Sequence, residues 1–463
     1  MKIKITTKPR STFKVRFIPE DQATGLPDFT GAVDQMSTRY ENSDGILYCG
    51  IGPAGSCTPA VIRTTAAKAV QTVQKLKRTD AAFIPAEISG NTVVLETALI
   101  EGILLGAYRY TAYKTEKPVD ITTVEIVGGQ LRSPELKRLH YIADSVNYAR
   151  DLVNDNASVI TPAYLAKEAK KLGTSGKCTV TVLDMKELQR QKCNLITAVG
   201  GGSATPPVLI LIEYRGASRS TPVTALVGKG VTFDSGGQNL KPTGSIESMR
   251  DDMAGAAAVM AVLGAAKRLN SQINLVGVIP AVHNAIGSRA FFPGDVYTSH
   301  AGKTVEIWST DAEGRLILAD AISYCRKVFR PDRIIDLATL TGGIITALGE
   351  QIAGLFSNND ELATALFNAG EKCRERLWRL PLYREYHDSL KGDRADLRNI
   401  SKFKKGCASS ITGAAFIQEF AGDTPWAHLD IAGTAYNDGS ANGEIPQFGT
   451  GFGVRLLSEF LGV

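Results

Sequence analysis

The pattern of apolar and polar positions divides the chain into two α/β stretches. Near the amino terminus, residues 13–17 and 46–49 read as short strands. Residues 64–77 predict a helix, with Ala67, Val70, Val73 and Leu76 at helical spacing. A further strand is expected over 81–85 and a second helix over 91–110. Ser133-Pro-Glu then opens a long helix to about residue 154, with Ser suited to the cap and Pro to the first helical position. Leu136, Leu139, Ile142, Ala143 and Val146 lie on one stripe of it. From residue 161 onward, apolar strands alternate with helices, at 178–183, 208–214, 223–227, 273–282, 304–308, 333–338 and 426–431. That alternation predicts an α/β fold with a central mixed, largely parallel and buried sheet. The expected organisation is a small N-terminal α/β domain over 1–132, a connecting helix and linker over 133–160, and a larger domain over 161–463.

Composition narrows the function classes. A chain of 463 residues suits two or three domains. The net charge of +5 comes from 52 basic and 47 acidic residues with no long basic block, so nucleic-acid binding is not expected. The seven cysteines are scattered and form no CxxC pair, which argues for reduced thiols and against a thiolate zinc site. Met1 to Arg10 lacks the apolar core of a signal peptide, and no stretch approaches the ~20 apolar residues of a membrane span. A cytoplasmic, membrane-free protein is expected. Gly200-Gly-Gly-Ser-Ala-Thr-Pro-Pro207 lacks the Lys-Ser/Thr ending of a phosphate loop and reads as a turn.

Two stretches carry the candidate chemistry. Asp311-Ala-Glu-Gly-Arg315 sits between the predicted strand 304–308 and a helix over 316–329. In an extended segment Asp311, Glu313 and Arg315 would share a face, with Gly314 permitting the turn into the helix. Two carboxylates aimed at one point repel unless a cation lies between them; the plainer alternative is an acidic helix start favoured by the helix dipole. The second stretch is Val227-Gly-Lys-Gly-Val-Thr-Phe-Asp-Ser-Gly-Gly-Gln-Asn-Leu-Lys-Pro242, followed by Met249-Arg-Asp-Asp-Met-Ala-Gly-Ala-Ala257. It interleaves Lys229, Asp234, Lys241 and Asp252 with glycines, in a loop leaving an apolar strand. In open parallel sheets ligands bind beyond the carboxyl ends of the strands, where Lys229, Asp234 and Asp311 are expected. Together Asp234, Asp252, Asp311 and Glu313 suit two divalent cations, because carboxylates are hard oxygen donors. The residues alone do not pair ligands with metals.

These motifs resemble the signatures of the leucyl aminopeptidase (cytosol aminopeptidase) family of two-metal exopeptidases, over nearly the whole second domain. Residues 154–162 also resemble that family's entry motif. The resemblance implies that Asp234, Asp311 and Glu313 hold one metal, and Lys229, Asp234, Asp252 and Glu313 the other. The ions would be Zn2+ or Mn2+, with Mg2+ or Co2+ as alternatives, bridged by the attacking water or hydroxide. Lys229 would ligate as a neutral amine, which requires a lowered pKa. Lys241 corresponds to the family's catalytic lysine, and Arg315 to the arginine that holds a bicarbonate ion together with the backbone of Ala312, Gly314 and Leu340. Met249, Thr339 and Gly342 match positions lining the pocket for a Leu-like first side chain. Peptides with a free N-terminus are the implied substrates, and a homohexamer built as a dimer of trimers the implied assembly. Ser309 stands where the family often has Asn, and residues 282–289 depart from its usual pattern. No histidine occupies a motif position; His283 and His300 are expected to be surface or packing residues. A two-metal phosphoesterase and a non-catalytic scaffold or nucleic-acid-binding protein that keeps the fold are the competing readings.

Overall fold

The computed structural model describes residues 1–41, 44–86, 92–173, 176–404 and 406–463. The chain clusters into two compact units, one of Met1–Asn147 with Asn437–Gln447, the other of Tyr148–Tyr436 with Phe448–Val463. The division falls inside the long helix Ser133–Asn154, which has the predicted extent. Among the described residues no helix is long and apolar enough to cross a membrane.

The first unit is built on a six-stranded sheet in the order Lys2–Thr6, Thr123–Val127, Asp80–Ile84, Phe13–Ile18, Asp44–Gly50, Met36–Glu41. Only the last pair is antiparallel. The strands predicted at 13–17, 46–49 and 81–85 are its middle. Its outer strands escaped prediction because polar residues such as Lys2, Lys4, Ser37 and Arg39 dilute their apolar signal. The helices are Pro59–Lys75, whose Thr58 cap accepts from the Val61 N–H at 3.3 Å, and Thr92–Gly106. Residue 91, where the second was expected to begin, lies outside the described residues. The two helices approach so closely that a Cβ at Gly102 would sit 2.2 Å from the Arg63 carbonyl oxygen.

The second unit carries the mixed, largely parallel sheet that the alternation predicted. Its order is Leu377–Arg379, Ala353–Ser357, Trp426–Asp430, Arg333–Ala338, Val223–Gly228, Asn274–Asn284, Val208–Arg215, Cys178–Leu183. The central four, from Trp426–Asp430 to Asn274–Asn284, run parallel. Helices Ala254–Leu269, Gly314–Phe329 and Ser409–Ala421 bury most of their residues. Two expectations need correction. Residues 304–308 do not join this sheet: Thr304–Glu306 pairs with Val296–Thr298 and Leu397–Arg398 in a separate three-stranded sheet. Val305 and Ile307 are as buried as any central strand residue, so apolar content cannot reveal which partners a strand takes. The segment after Val227 is also not all loop, because Gly230–Asp234 forms a strand against the end of Asn274–Asn284.

Candidate metal centre

Neighbouring parallel strands end side by side, and the site is made of the residues at those ends and just beyond them. Val223–Gly228 delivers Lys229, Arg333–Ala338 delivers Thr339, and Asn274–Asn284 ends on Asn284. Asp234 closes the short strand Gly230–Asp234, and Asp252 precedes the buried helix Ala254–Leu269. Opposite them lies the segment 309–313. This segment is not extended: residues 310–311 form a turn and Glu313 has helical dihedrals, φ −78° and ψ −35°. The shared-face argument for Asp311, Glu313 and Arg315 therefore does not hold. Asp311 keeps 39% of its side chain exposed, while Glu313 and Arg315 are buried. Glu313 does not cap its helix with its side chain. It turns instead to Lys229, while its place at the N-cap still sets its charge at the favourable end of the helix dipole.

Two lysines neutralise the acids in alternation. The Lys229 ammonium lies 2.7 Å from Asp252 Oδ1 and 2.9 Å from Glu313 Oε1, and donates to the Thr339 carbonyl at 2.8 Å. Lys241 lies 2.8 Å from Asp234 Oδ2 and 2.6 Å from Asp311 Oδ1. Burial disfavours the charged form of Lys229, yet the carboxylates of Asp252, Glu313 and Asp234 outweigh it and its pKa is raised. Lys241 behaves likewise beside Asp234, Glu313 and Asp311. Burial in turn pushes up Asp252, Glu313 and Asp311. As the charges stand, Lys229 is an ammonium; it can become a neutral donor only if other cations take over its counter-charge. Gly314 has a different role from the one expected. A Cβ there would sit 2.7–2.8 Å from Cε and Nζ of Lys229, so the glycine clears the path of the lysine.

The donor set fits divalent cations. Asp234, Asp252 and Glu313, all buried, offer oxygens within 4.8 Å of one another. Asp252 Oδ2 and Glu313 Oε2 are buried with no hydrogen-bond partner among the described residues. Buried carboxylate oxygens left unpaired are costly, and a cation between them removes that cost. Asp311 stands outside this tight triplet and reaches it through Lys241.

Several residues at the site carried no signal in the sequence. Asn284 donates to Asp234 Oδ1 at 2.7 Å and to the Thr310 carbonyl at 3.0 Å. Asn239 and Thr310 bond each other reciprocally, both at 2.8 Å. Asp430 accepts from the Leu340 N–H at 3.1 Å and the Thr341 hydroxyl at 2.6 Å. Thr339, expected to line a pocket, also donates to Asp252 Oδ1 at 2.7 Å. Met249 is half-buried in a turn three residues before Asp252, and Gly342 is exposed at the start of helix Gly342–Leu348. Arg315 donates to the Asn399 carbonyl at 2.8 Å, and its buried Nε has no partner among the described residues. Burial lowers the Arg315 pKa to about 10 against the pull of Glu313 and Asp430. The free Nε suits an anion. The Leu340 amide, by contrast, is already taken by Asp430 and the Ala312 amide by the Ser309 carbonyl at 3.3 Å. His283 packs against Phe233, and His300 bonds Ser323, so both are packing residues.

The model of the cytosol aminopeptidase family's catalytic domain matches residues 147–458, and that of its N-terminal domain residues 25–117. The chain belongs to the cytosol aminopeptidase family. It is a metal-dependent aminopeptidase, a hydrolase of peptide bonds. A probable cytosol aminopeptidase of Syntrophotalea carbinolica is 42% identical over 427 residues, covering 90% of this chain and 85% of the relative. One from Chlamydia trachomatis is 41% identical over 450 residues, covering 94% and 89%. Among solved structures, the bottromycin maturation enzyme BotP in complex with Mn superposes with a TM-score of 0.90 at 34% identity, covering 97% of this chain and 98% of that one. A mutant tomato leucine aminopeptidase gives 0.90 at 29% identity, covering 99% and 96%. The aminopeptidase thus shares both its domains with the family models, and its acidic cluster fits a divalent cation such as the Mn in the BotP complex.

Proposed function

We propose that this aminopeptidase removes Leu-like N-terminal residues from peptides, with Asp234, Asp311 and Glu313 holding one divalent cation and Lys229, Asp234, Asp252 and Glu313 a second. The observation that carries this reading is the buried triplet Asp234, Asp252 and Glu313, with two oxygens unpaired, at the ends of parallel strands. When bound, the cations, Zn2+ or Mn2+ in first place and Mg2+ or Co2+ otherwise, would supply an activated water and polarise the attacked carbonyl. The protein's own groups do the rest. Lys241, released from Asp234 and Asp311, stabilises the negative charge that grows on the carbonyl oxygen. Asn284 fixes the orientation of Asp234. Arg315, with its unpaired Nε, would hold a bicarbonate ion, which would supply a proton acceptor at the site. In that cradle Gly314 contributes backbone, while Ala312 and Leu340 contribute only if the Ser309 carbonyl and Asp430 release their amides. Met249, Thr339 and Gly342 line the pocket for the first side chain, Met supplying an adaptable apolar wall.

The substrate is a peptide with a free N-terminus, whose amine takes a position that a longer chain would obstruct. The working assembly is a homohexamer of two stacked trimers in the cytoplasm. The test is a panel of aminoacyl amides, with a phosphate ester beside them, assayed with and without Mn2+. Cleavage of the leucyl amide ahead of charged aminoacyl amides is expected. Turnover of the phosphate ester alone would replace this reading with a phosphoesterase.

A further inference from the structure

We propose that Asn399 is a positioning residue that shapes the segment carrying Asp311 and Glu313, and so sets the affinity of the site for divalent cations. The inference rests on the reading of that site as a cation centre. Asn399 is fully buried and lies some 90 positions from the segment it serves. Strand Leu397–Arg398 pairs parallel with Thr304–Glu306, and the Asn399 N–H continues the pairing onto the Glu306 carbonyl at 3.1 Å. This draws the Asn399 side chain alongside residues 308–312. Its Oδ1 accepts from the N–H of Trp308 at 2.7 Å and of Ser309 at 3.3 Å. Its Nδ2 donates to the carbonyls of Ser309 at 2.6 Å and Ala312 at 3.4 Å. The amide thus spans the turn leading to Asp311 and Glu313, bonding the residues on either side of Thr310, which is itself held by Asn239, Gly236 and Asn284. Its carbonyl meanwhile holds Arg315 Nη1 at 2.8 Å.

Only a side chain with an acceptor and a donor in one plane satisfies this set. An aspartate of the same shape keeps the two accepted bonds, loses both donated ones, and faces two carbonyl oxygens. Partners that orient metal ligands from behind typically change metal affinity by about 10- to 100-fold. A buried amide also stabilises the fold, so a matched control is needed. Asn274 provides it. It is likewise buried, accepts from the Ala217 N–H at 3.3 Å, and donates to the carbonyls of Ser218 at 2.8 Å and Thr221 at 3.1 Å. It does this at the amino end of its strand, opposite the end that carries Asn284.

The experiment measures Mn2+ binding calorimetrically, unfolding temperature, and kcat at saturating Mn2+ for the full-length parent, Asn399→Asp, Asn399→Ala and Asn274→Ala. The Asn399 variants are expected to bind Mn2+ about 10- to 100-fold more weakly and to lose turnover that excess Mn2+ does not fully restore. Asn274→Ala is expected to lower the unfolding temperature while keeping parental Mn2+ affinity and kcat. Should Asn399→Ala not fold, Asn399→Asp decides. Asn399 variants that melt early yet match the parent in Mn2+ affinity and kcat would reduce the residue to a structural tie and overturn the proposal. A parent that itself binds no Mn2+ would overturn the cation-centre reading, and the proposal with it.

Discussion

Each unit of this aminopeptidase buries a glutamate on a helix, Glu96 within Thr92–Gly106 and Glu313 at the start of Gly314–Phe329, and the two are used in opposite ways. In the first unit the strand ends line a cavity of about 790 Å³, walled by Phe17, Ile62, Ile84, Leu95 and Leu99. Its buried acid, Glu96, is fully employed, accepting from the N–H groups of Gln130 at 2.7 Å and Leu131 at 3.2 Å. In the second unit Glu313 is equally buried, but one oxygen faces Lys229 and the other has no partner among the described residues. One carboxylate closes a loop; the other waits for a cation. The same layered architecture supports both, so chemistry follows from which buried acids are left unsatisfied.

The sharpest way to break this contrast is to remove each acid in turn. Glu313→Ala is expected to abolish metal retention and turnover, read by metal analysis of the purified protein and a leucyl amide assay; retained Mn2+ or Zn2+ would sever Glu313 from the centre. Lys241→Ala should keep the metal content and cut kcat by roughly 10²- to 10³-fold, the scale of one lost oxyanion donor. Near-parental turnover would make Lys241 a mere counter-charge to Asp234 and Asp311. Glu96→Ala, in the other unit, should cost about 1–3 kcal/mol of stability through the two N–H groups it strands, read by denaturant unfolding. Its kcat should stay parental; a loss of activity would show that the contrast was drawn in the wrong place.

The last effect, on stability and its pH dependence alone, concerns a third buried acid, Asp320, which lies on the helix that begins at Gly314. It accepts from the N–H groups of Leu195, Ile196 and His300. Burial nevertheless pushes its pKa up to about 7, above the pull of those donors. A raised folded-state pKa means that its stabilisation is complete below the unfolded value near 3.9 and is lost as the pH rises toward 7. The stability of the parent relative to Asp320→Asn should therefore fall across that window, by at most about 1.4 kcal/mol per pH unit. A flat difference in urea midpoints would mean that the three N–H donors keep Asp320 ionised.

Much of the candidate site was legible because its charged residues travel in short local motifs. Lys229, Asp234 and Lys241 occupy one stretch, Asp311, Glu313 and Arg315 another, and the structure brings these stretches together through ion pairs of 2.6–2.9 Å. The helices and most central strands were legible for the same reason, since apolar period is a local property. Asn284, Asn399 and Asp430 were not. Each acts through hydrogen bonds to backbone or side chains dozens of positions away, and a lone polar residue has no period to betray it. Gly314 reads in the sequence as a turn residue, whereas its function depends on a neighbour in space, the Lys229 side chain that leaves the end of another strand.

By itself the sequence determined the α/β alternation, the spacing of the acids and lysines, and the family those spacings belong to. Tertiary structure decided that 304–306 leaves the main sheet, that Asp311 stands apart from the tight triplet, and which amides hold the loops. The physical reason is one of range. Periodicity and turn chemistry act between neighbours, whereas strand partners and the satisfaction of buried polar groups are settled only when distant segments meet.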